Sequence, residues 1–118
     1  MLSKVSTECV YLACGSTDMR KSIDALAAIV QVGFSLDPFS SCLFVFCNKN
    51  RNKLKILKWE HNGFWLYYRR LEKGVFQWPK ESSSSPLAIN IRELNWLLDG
   101  LSLNQYQAHK KVTANAVI

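Results

Sequence analysis

The chain has 118 residues, 48% hydrophobic and 20% charged, a composition that supports one self-sufficient folded domain and excludes a multidomain enzyme and global disorder. No apolar run approaches the roughly 18 residues of a membrane span and no secretory signal pattern follows the N-terminus, so a cytoplasmic protein without membrane contacts is expected. The net charge of +6 is carried entirely between residues 49 and 73, where eight cations meet only Glu60 and Glu72, and a polyanion is the natural partner of such a segment.

In chain order, Cys9-Val-Tyr-Leu-Ala-Cys14 is short, rich in strand formers and ended by Gly15, which predicts a strand. Ser16, Thr17 and Asp18 are N-cap types, and Met19, Ile23, Leu26 and Val30 follow at helical spacing, so an amphipathic helix is predicted to run to Gly33, with Arg20 and Asp24 pairing on its flank. After the Asp37-Pro38 turn, Leu43-Phe-Val-Phe46 is a continuous apolar run that fits a central strand buried on both faces. The segments Lys53–Glu60, Phe64–Leu71 and Val75–Trp78, separated by Asn- and Gly-bearing turns, complete a meander of four antiparallel strands. Lys80–Pro86 reads as a mobile surface loop. Asn90 and Glu93 have capping-box spacing, and Ile91, Leu94, Leu98 and Leu101 form the stripe of a second helix. Beyond Asn104 the periodicity fades into a frayed tail, leaving one domain over residues 1–118 with its core at about 9–103.

The four cysteines, Cys9, Cys14, Cys42 and Cys47, sit among apolar neighbours and read as buried thiols of a reducing compartment, not as disulfides. The repeated C-x4-C spacing does not make a zinc site. Along a strand it separates two sulfurs by roughly 16 Å, too far for one tetrahedral metal, and only pairing across neighbouring strands stays open.

The predicted sheet interleaves cations with rings. Trp65, Tyr67 and Arg69 share one strand face, and Lys53, Lys55, Leu57 and Trp59 share one on the preceding strand. Lysine and arginine neutralise phosphates while flat rings stack on bases, so Lys49, Arg51, Lys53, Lys55, Lys58, Arg69 and Arg70 with Trp59, Trp65 and Tyr67 form the candidate nucleic-acid surface. The plainer reading is an aromatic core with a solvated basic rim. Thr17, Asp18, Arg20 and Lys21 lie between a strand end and a helix start, where an anion could sit; the competing explanation is that Thr17 caps the helix and Asp18 favours its dipole. Catalysis has thin support. Each carboxylate has a cap, turn or loop role available, the two histidines are His61 and His109, and no phosphate-binding loop motif occurs. A non-catalytic protein with no cofactor and no small-molecule substrate is expected.

Several ordered segments carry a family resemblance: Gly15-Ser-Thr-Asp-Met-Arg-Lys-Ser-Ile-Asp24, Leu36-Asp-Pro-Phe39, Leu43-Phe-Val-Phe-Cys-Asn48, Lys55-Ile-Leu-Lys-Trp59, Asn62-Gly-Phe-Trp-Leu66, Tyr68-Arg-Arg-Leu-Glu-Lys-Gly74 and Phe76-Gln-Trp-Pro79. Together they resemble the TnpB accessory proteins, products of the second open reading frame, of the sixty-six family of bacterial insertion sequences. The resemblance implies a helper of DNA transposition acting beside a separate transposase that holds the catalytic carboxylates. The matched polar positions are Thr17, Asp18, Arg20, Lys21, Asn48, Trp59, Asn62, Gly63, Trp65, Arg70, Glu72 and Trp78. Ser16 stands where the family usually has proline, Asn50 and Asn52 occupy a turn commonly richer in arginine, and Glu60-His61 replaces a typical Asp-Gly.

The expectation is thus an α+β domain, an antiparallel β-meander sheet with two amphipathic helices packed on one face and a basic, aromatic surface on the other that binds DNA of the element ends. The alternative is a protein–protein adaptor for the transposase, its rings and basic rim meeting an acidic partner. A third reading, a metal-dependent nuclease centred on Asp18, predicts magnesium-dependent cleavage that Asp18→Asn abolishes.

Overall fold

Leu43–Cys47 dictates the architecture. All five residues are buried, and because alternate side chains leave a strand in opposite directions, such a strand needs apolar cover on both sides. A computed structural model describing residues 9–80 and 85–103 shows how this need is met. The elements are β1 (Val10–Leu12), α1 (Ile23–Ala28) continued by a π-helical turn (Ile29–Gly33), β2 (Leu43–Cys47), β3 (Lys53–Glu60), β4 (Gly63–Arg70), β5 (Leu87–Ile89) and α2 (Ile91–Leu98). Most of the predicted 80–86 loop and the whole 104–118 tail lie outside the described residues.

The sheet order is β4-β3-β2-β1-β5. β2, β3 and β4 are antiparallel neighbours, as the meander predicts, but β1 lies parallel to β2 and antiparallel to β5. The sheet is therefore mixed. Val75–Trp78 is not a fourth meander strand. Its alternation is genuine, with Phe76 and Trp78 buried and Gln77 exposed, yet the segment forms no ladder. The missed strand, β5, is three residues long and follows directly on Pro86, too short to show a period.

Placement of the helices corrects the expectation of both on one face. Leu94 and Leu97 of α2 join Leu43, Val45 and Cys47 in one apolar cluster, whereas Leu26 of α1 and Val30 join Phe44 and Phe46 in another. Alternate residues of β2 thus meet different helices, one for each side of a doubly apolar strand. α1 also starts later than predicted. Its N-cap is Ser22, not Thr17, and Arg20 bonds Asp18 instead of Asp24. The helical run does end at Gly33. The Asn90/Glu93 capping box forms as predicted, with Glu93 N donating to Asn90 Oδ1 at 2.8 Å and Asn90 N donating to Glu93 Oε1 at 3.0 Å, while Leu101 lies past the helix and is exposed.

The parallel ladder sets Val10 opposite Leu43, so Cys9 and Cys42 meet one residue earlier. Their Cα atoms are 4.8 Å apart and their sulfurs are bonded, which corrects the expectation of thiols throughout. Spacing within a segment could not show which strands are neighbours. Cys14 and Cys47 are free, and burial pushes the Cys47 thiol up to about 12. Among the described residues no group of three or more His, Cys, Asp or Glu side chains is placed to hold a metal, and no helix is long and apolar enough to cross a membrane.

Candidate nucleic-acid interface

The register of the β3–β4 hairpin decides where the cations and rings go. A two-residue turn, His61 and Asn62 with φ of 51° and 66°, sets Glu60 opposite Gly63, so even positions of β3 face odd positions of β4. Lys58 therefore shares a face with Trp65, Tyr67 and Arg69. Lys53, Lys55 and Trp59 share the opposite one with Tyr68 and Arg70. The candidate surface is divided between the two sides of the sheet, and some members are engaged internally. Lys58 is 8% exposed, with Nζ 2.9 Å from Glu60 Oε2. Lys55 Nζ donates to the carbonyls of Met19 and Lys21 at 2.7 and 2.9 Å, tying the loop before α1 to β3. Trp59 packs edge-on against Phe39 and Phe64, each with centroids 4.9 Å away. Trp65 stacks on Tyr67 and donates its indole N–H to Glu60 Oε1 at 3.1 Å.

What the fold gathers instead is charge at one end of the sheet. Lys53 opens β3 and is the register partner of Arg70, which closes β4. Beside them the turn joining β2 to β3 is built on Asn48. Its Oδ1 accepts from the amides of Asn52 and Lys53, both at 3.0 Å, and its Nδ2 donates to Asn52 Oδ1 at 2.8 Å. This holds Lys49 and Arg51 outward, Arg51 at a φ of 59°. The Arg51 carbonyl accepts from Phe76 N at 2.7 Å, Gly15 N donates to Pro79 O at 3.0 Å, and Thr17 N donates to Cys47 O at 2.7 Å. Three chain segments thus converge beyond the carboxyl ends of the parallel pair β1 and β2, the customary position of ligand crevices in open sheets with parallel strands. They enclose a cleft of about 370 Å³ between Gly15–Ser16, the Asn48–Arg51 turn and Trp78–Lys80. Lys49, Arg51 and Lys80 line it, and among the described residues no carboxylate does. A second cleft of about 280 Å³ shares Arg51, Trp78 and Pro79 with the first.

Among the described residues the ion pairs are Arg20–Asp18, Lys58–Glu60 and Arg70–Glu72; Lys49, Arg51, Lys53 and Lys80 have none. The sequence profile of the family described as IS66 Orf2 like protein matches residues 8–108. The chain belongs to this family.

Two relatives of the IS66 Orf2-like chain come from Sinorhizobium fredii (strain NBRC 101917 / NGR234). Uncharacterized protein y4hO is 36% identical over 92 residues, 78% of this chain and 79% of the relative. Uncharacterized protein y4jC is 28% identical over 92 residues, 78% of each. No solved structure matches. Family membership carries a transposition-associated accessory role.

The anion site expected at Thr17–Lys21 is differently organised in this IS66 Orf2-like protein. Asp18 accepts from Arg20 N, Nε and Nη2 at 2.8 to 3.1 Å, so acid and base satisfy each other, and α1 begins four residues beyond Met19 at Ile23. Sequence reading missed Lys80, which follows Pro79 in a segment read as a loop; Trp78, which supports it, was among the family-matched positions. The signal for Lys80 was the burial demanded by Trp78, which had to return this segment to the core.

The Arg20 guanidinium and amide hold the Asp18 carboxyl down to about 2, from an ordinary 3.8, and the Lys58 ammonium bonded to Glu60 lowers that carboxyl too. Depressed folded values stabilise the fold above the ordinary carboxylate range, and the contribution is lost as pH falls through the depressed value. Carboxyl-detected NMR titration is therefore expected to place the Asp18 midpoint at about 2 and Glu60 below 4.5, with the 18–20 loop intact at acidities that protonate ordinary carboxylates. An unshifted Asp18 midpoint would remove the Arg20 bond from the account.

Proposed function

We propose that this protein assists transposition by gripping the phosphate backbone of nucleic acid at the basic end of its sheet. The observation that supports the reading is the cleft lined by Lys49, Arg51 and Lys80 with no carboxylate among the described residues, continued by Lys53 where β3 opens at that end. The Asn48 turn presents Lys49 and Arg51, and these two with Lys53 and Lys80 have no ion pair among the described residues; unpaired surface cations gain most by displacing counterions from phosphates. Lys55 and Lys58 drop out of the phosphate-binding set because backbone carbonyls and Glu60 already occupy them. Trp59, Trp65 and Tyr67 drop out as base-stacking rings of this site, since they lie along the ladder toward the hairpin turn. Phosphate contacts position a duplex without reading its sequence, so recognition of the element ends falls to the transposase.

The test is binding by the isolated chain to terminal-repeat duplex, random duplex and single strands at physiological salt. Both duplexes are expected to bind with Kd of about 1–100 µM, within tenfold of each other. Absence of a complex at such concentrations, with retention of the transposase in nuclease-treated extract, would overturn this reading in favour of the adaptor.

A further inference from the structure

We propose that β4 is the edge through which two copies of this chain pair, antiparallel about a two-fold axis, into one continuous sheet. β4 is the outermost strand, eight residues long, and the outward-turned half of its N–H and C=O groups has no strand partner among the described residues. Long exposed edges template pairing unless proline, a bulge or dispersed charge defends them. β4 contains no proline, and its charges are confined to Arg69 and Arg70 at one end. Trp65 and Tyr68 each remain 54% exposed on opposite faces.

A two-fold axis through Leu66 makes this edge complementary to itself. In that register Trp65 lies opposite the partner's Tyr67, and Gly63 opposite the partner's Arg69. Trp65 and Tyr67 already stack within one chain, 6.2 Å between centroids and 13° between planes, so pairing lines up four rings on one face. The charge match is more specific. Glu60 and Gly63 are register partners, and Gly63 has no side chain to stand between Glu60 and an arginine on a following strand. The partner's Arg69 occupies that lane, two strand spacings or about 10 Å from Glu60 in backbone position, which the two extended side chains span. Symmetry makes the pair twice. Glu60 holds Lys58 on one oxygen and Trp65 on the other, leaving lone pairs for a guanidinium. Arg69 has no ion pair among the described residues. An antiparallel two-fold also carries the two Arg69–Arg70 ends apart, whereas parallel pairing would set them together.

Sedimentation equilibrium of the full chain tests this. The expected result is reversible association from 13.5 kDa to twice that, with Kd in the range of about 1–100 µM appropriate to a small interface. Arg69→Glu, an exposed change, sets like charge against Glu60 at both ends and is expected to weaken association about tenfold or more. Leu66→Cys places facing Cα atoms about 5.5 Å apart across the axis, within disulfide reach, and is expected to cross-link under mild oxidation, whereas Val32→Cys, on the exposed π-helical turn, does not. A chain monomeric at about 200 µM, above the affinity such an interface should show, overturns the proposal and leaves the edge to a strand of another protein. A dimer that Arg69→Glu does not weaken, or that Leu66→Cys does not cross-link, equally overturns it.

Discussion

Replacing Trp78 with alanine is expected to lower the unfolding free energy by about 3–5 kcal/mol, the usual cost of deleting a large buried aromatic. Trp78 is 6% exposed in the cluster that joins α2 to β1, β2 and β3, and its indole N–H donates to the Ala13 carbonyl at 3.0 Å. No strand ladder holds the 75–80 segment; this side chain and that of Phe76 anchor it, together with the backbone bonds from Phe76 N to Arg51 O and from Gly15 N to Pro79 O. The loss therefore reaches the cleft, whose wall at Pro79 and Lys80 hangs from Trp78. Urea unfolding separates the contributions: Trp78→Phe keeps most of the apolar area and leaves the Ala13 carbonyl unsatisfied, an expected cost of about 1–3 kcal/mol. Loss of nucleic-acid affinity in Trp78→Phe at full folding would assign the indole N–H to positioning the cleft; equal stability of wild type and Trp78→Ala would contradict the packing described.

Reduction is expected to have the second largest effect. The Cys9–Cys42 bridge closes a 33-residue separation, and restricting the unfolded chain over such a loop stabilises the native state by about 2–4 kcal/mol. Urea midpoints with and without reductant, and in Cys42→Ala, measure it, since the alanine variant should match reduced wild type and ignore reductant. Thiol counting supplies a control: native protein is expected to show only Cys14 as a reactive thiol, with Cys47 joining after unfolding because it is wholly buried. Three or more thiols in unreduced, unfolded protein would contradict the bridge.

Some of this was legible in the residues and some was not, for reasons that differ by element. Leu43–Phe46 announced a strand buried on both sides, and that property already required apolar cover on each face; the expectation of both helices on one face overlooked it. The Asn90/Glu93 box is local chemistry and reads directly. Strand adjacency is not local, which hid the parallel β1–β2 pair and with it the Cys9–Cys42 bridge. The binding surface failed on parity. Each strand's alternation was right, but the two-residue turn at His61-Asn62 pairs even with odd positions, so rings and cations read as one wall fall on two. The concentration of charge between residues 49 and 73 survived as a physical feature, moved from a face to an end, where Lys80 from a distant segment completes it.

The central claim, that cations at this end of the sheet grip phosphates, is tested most directly by the salt dependence of duplex binding in wild type and in the Lys49→Ala/Arg51→Ala/Lys80→Ala variant. With Lys49, Arg51, Lys53 and Lys80 each neutralising a phosphate, log affinity should fall with log salt at a slope of about −3 to −4, and the variant's slope should be shallower by about 2–3. A variant slope equal to that of wild type, with the duplex still bound, would contradict the account.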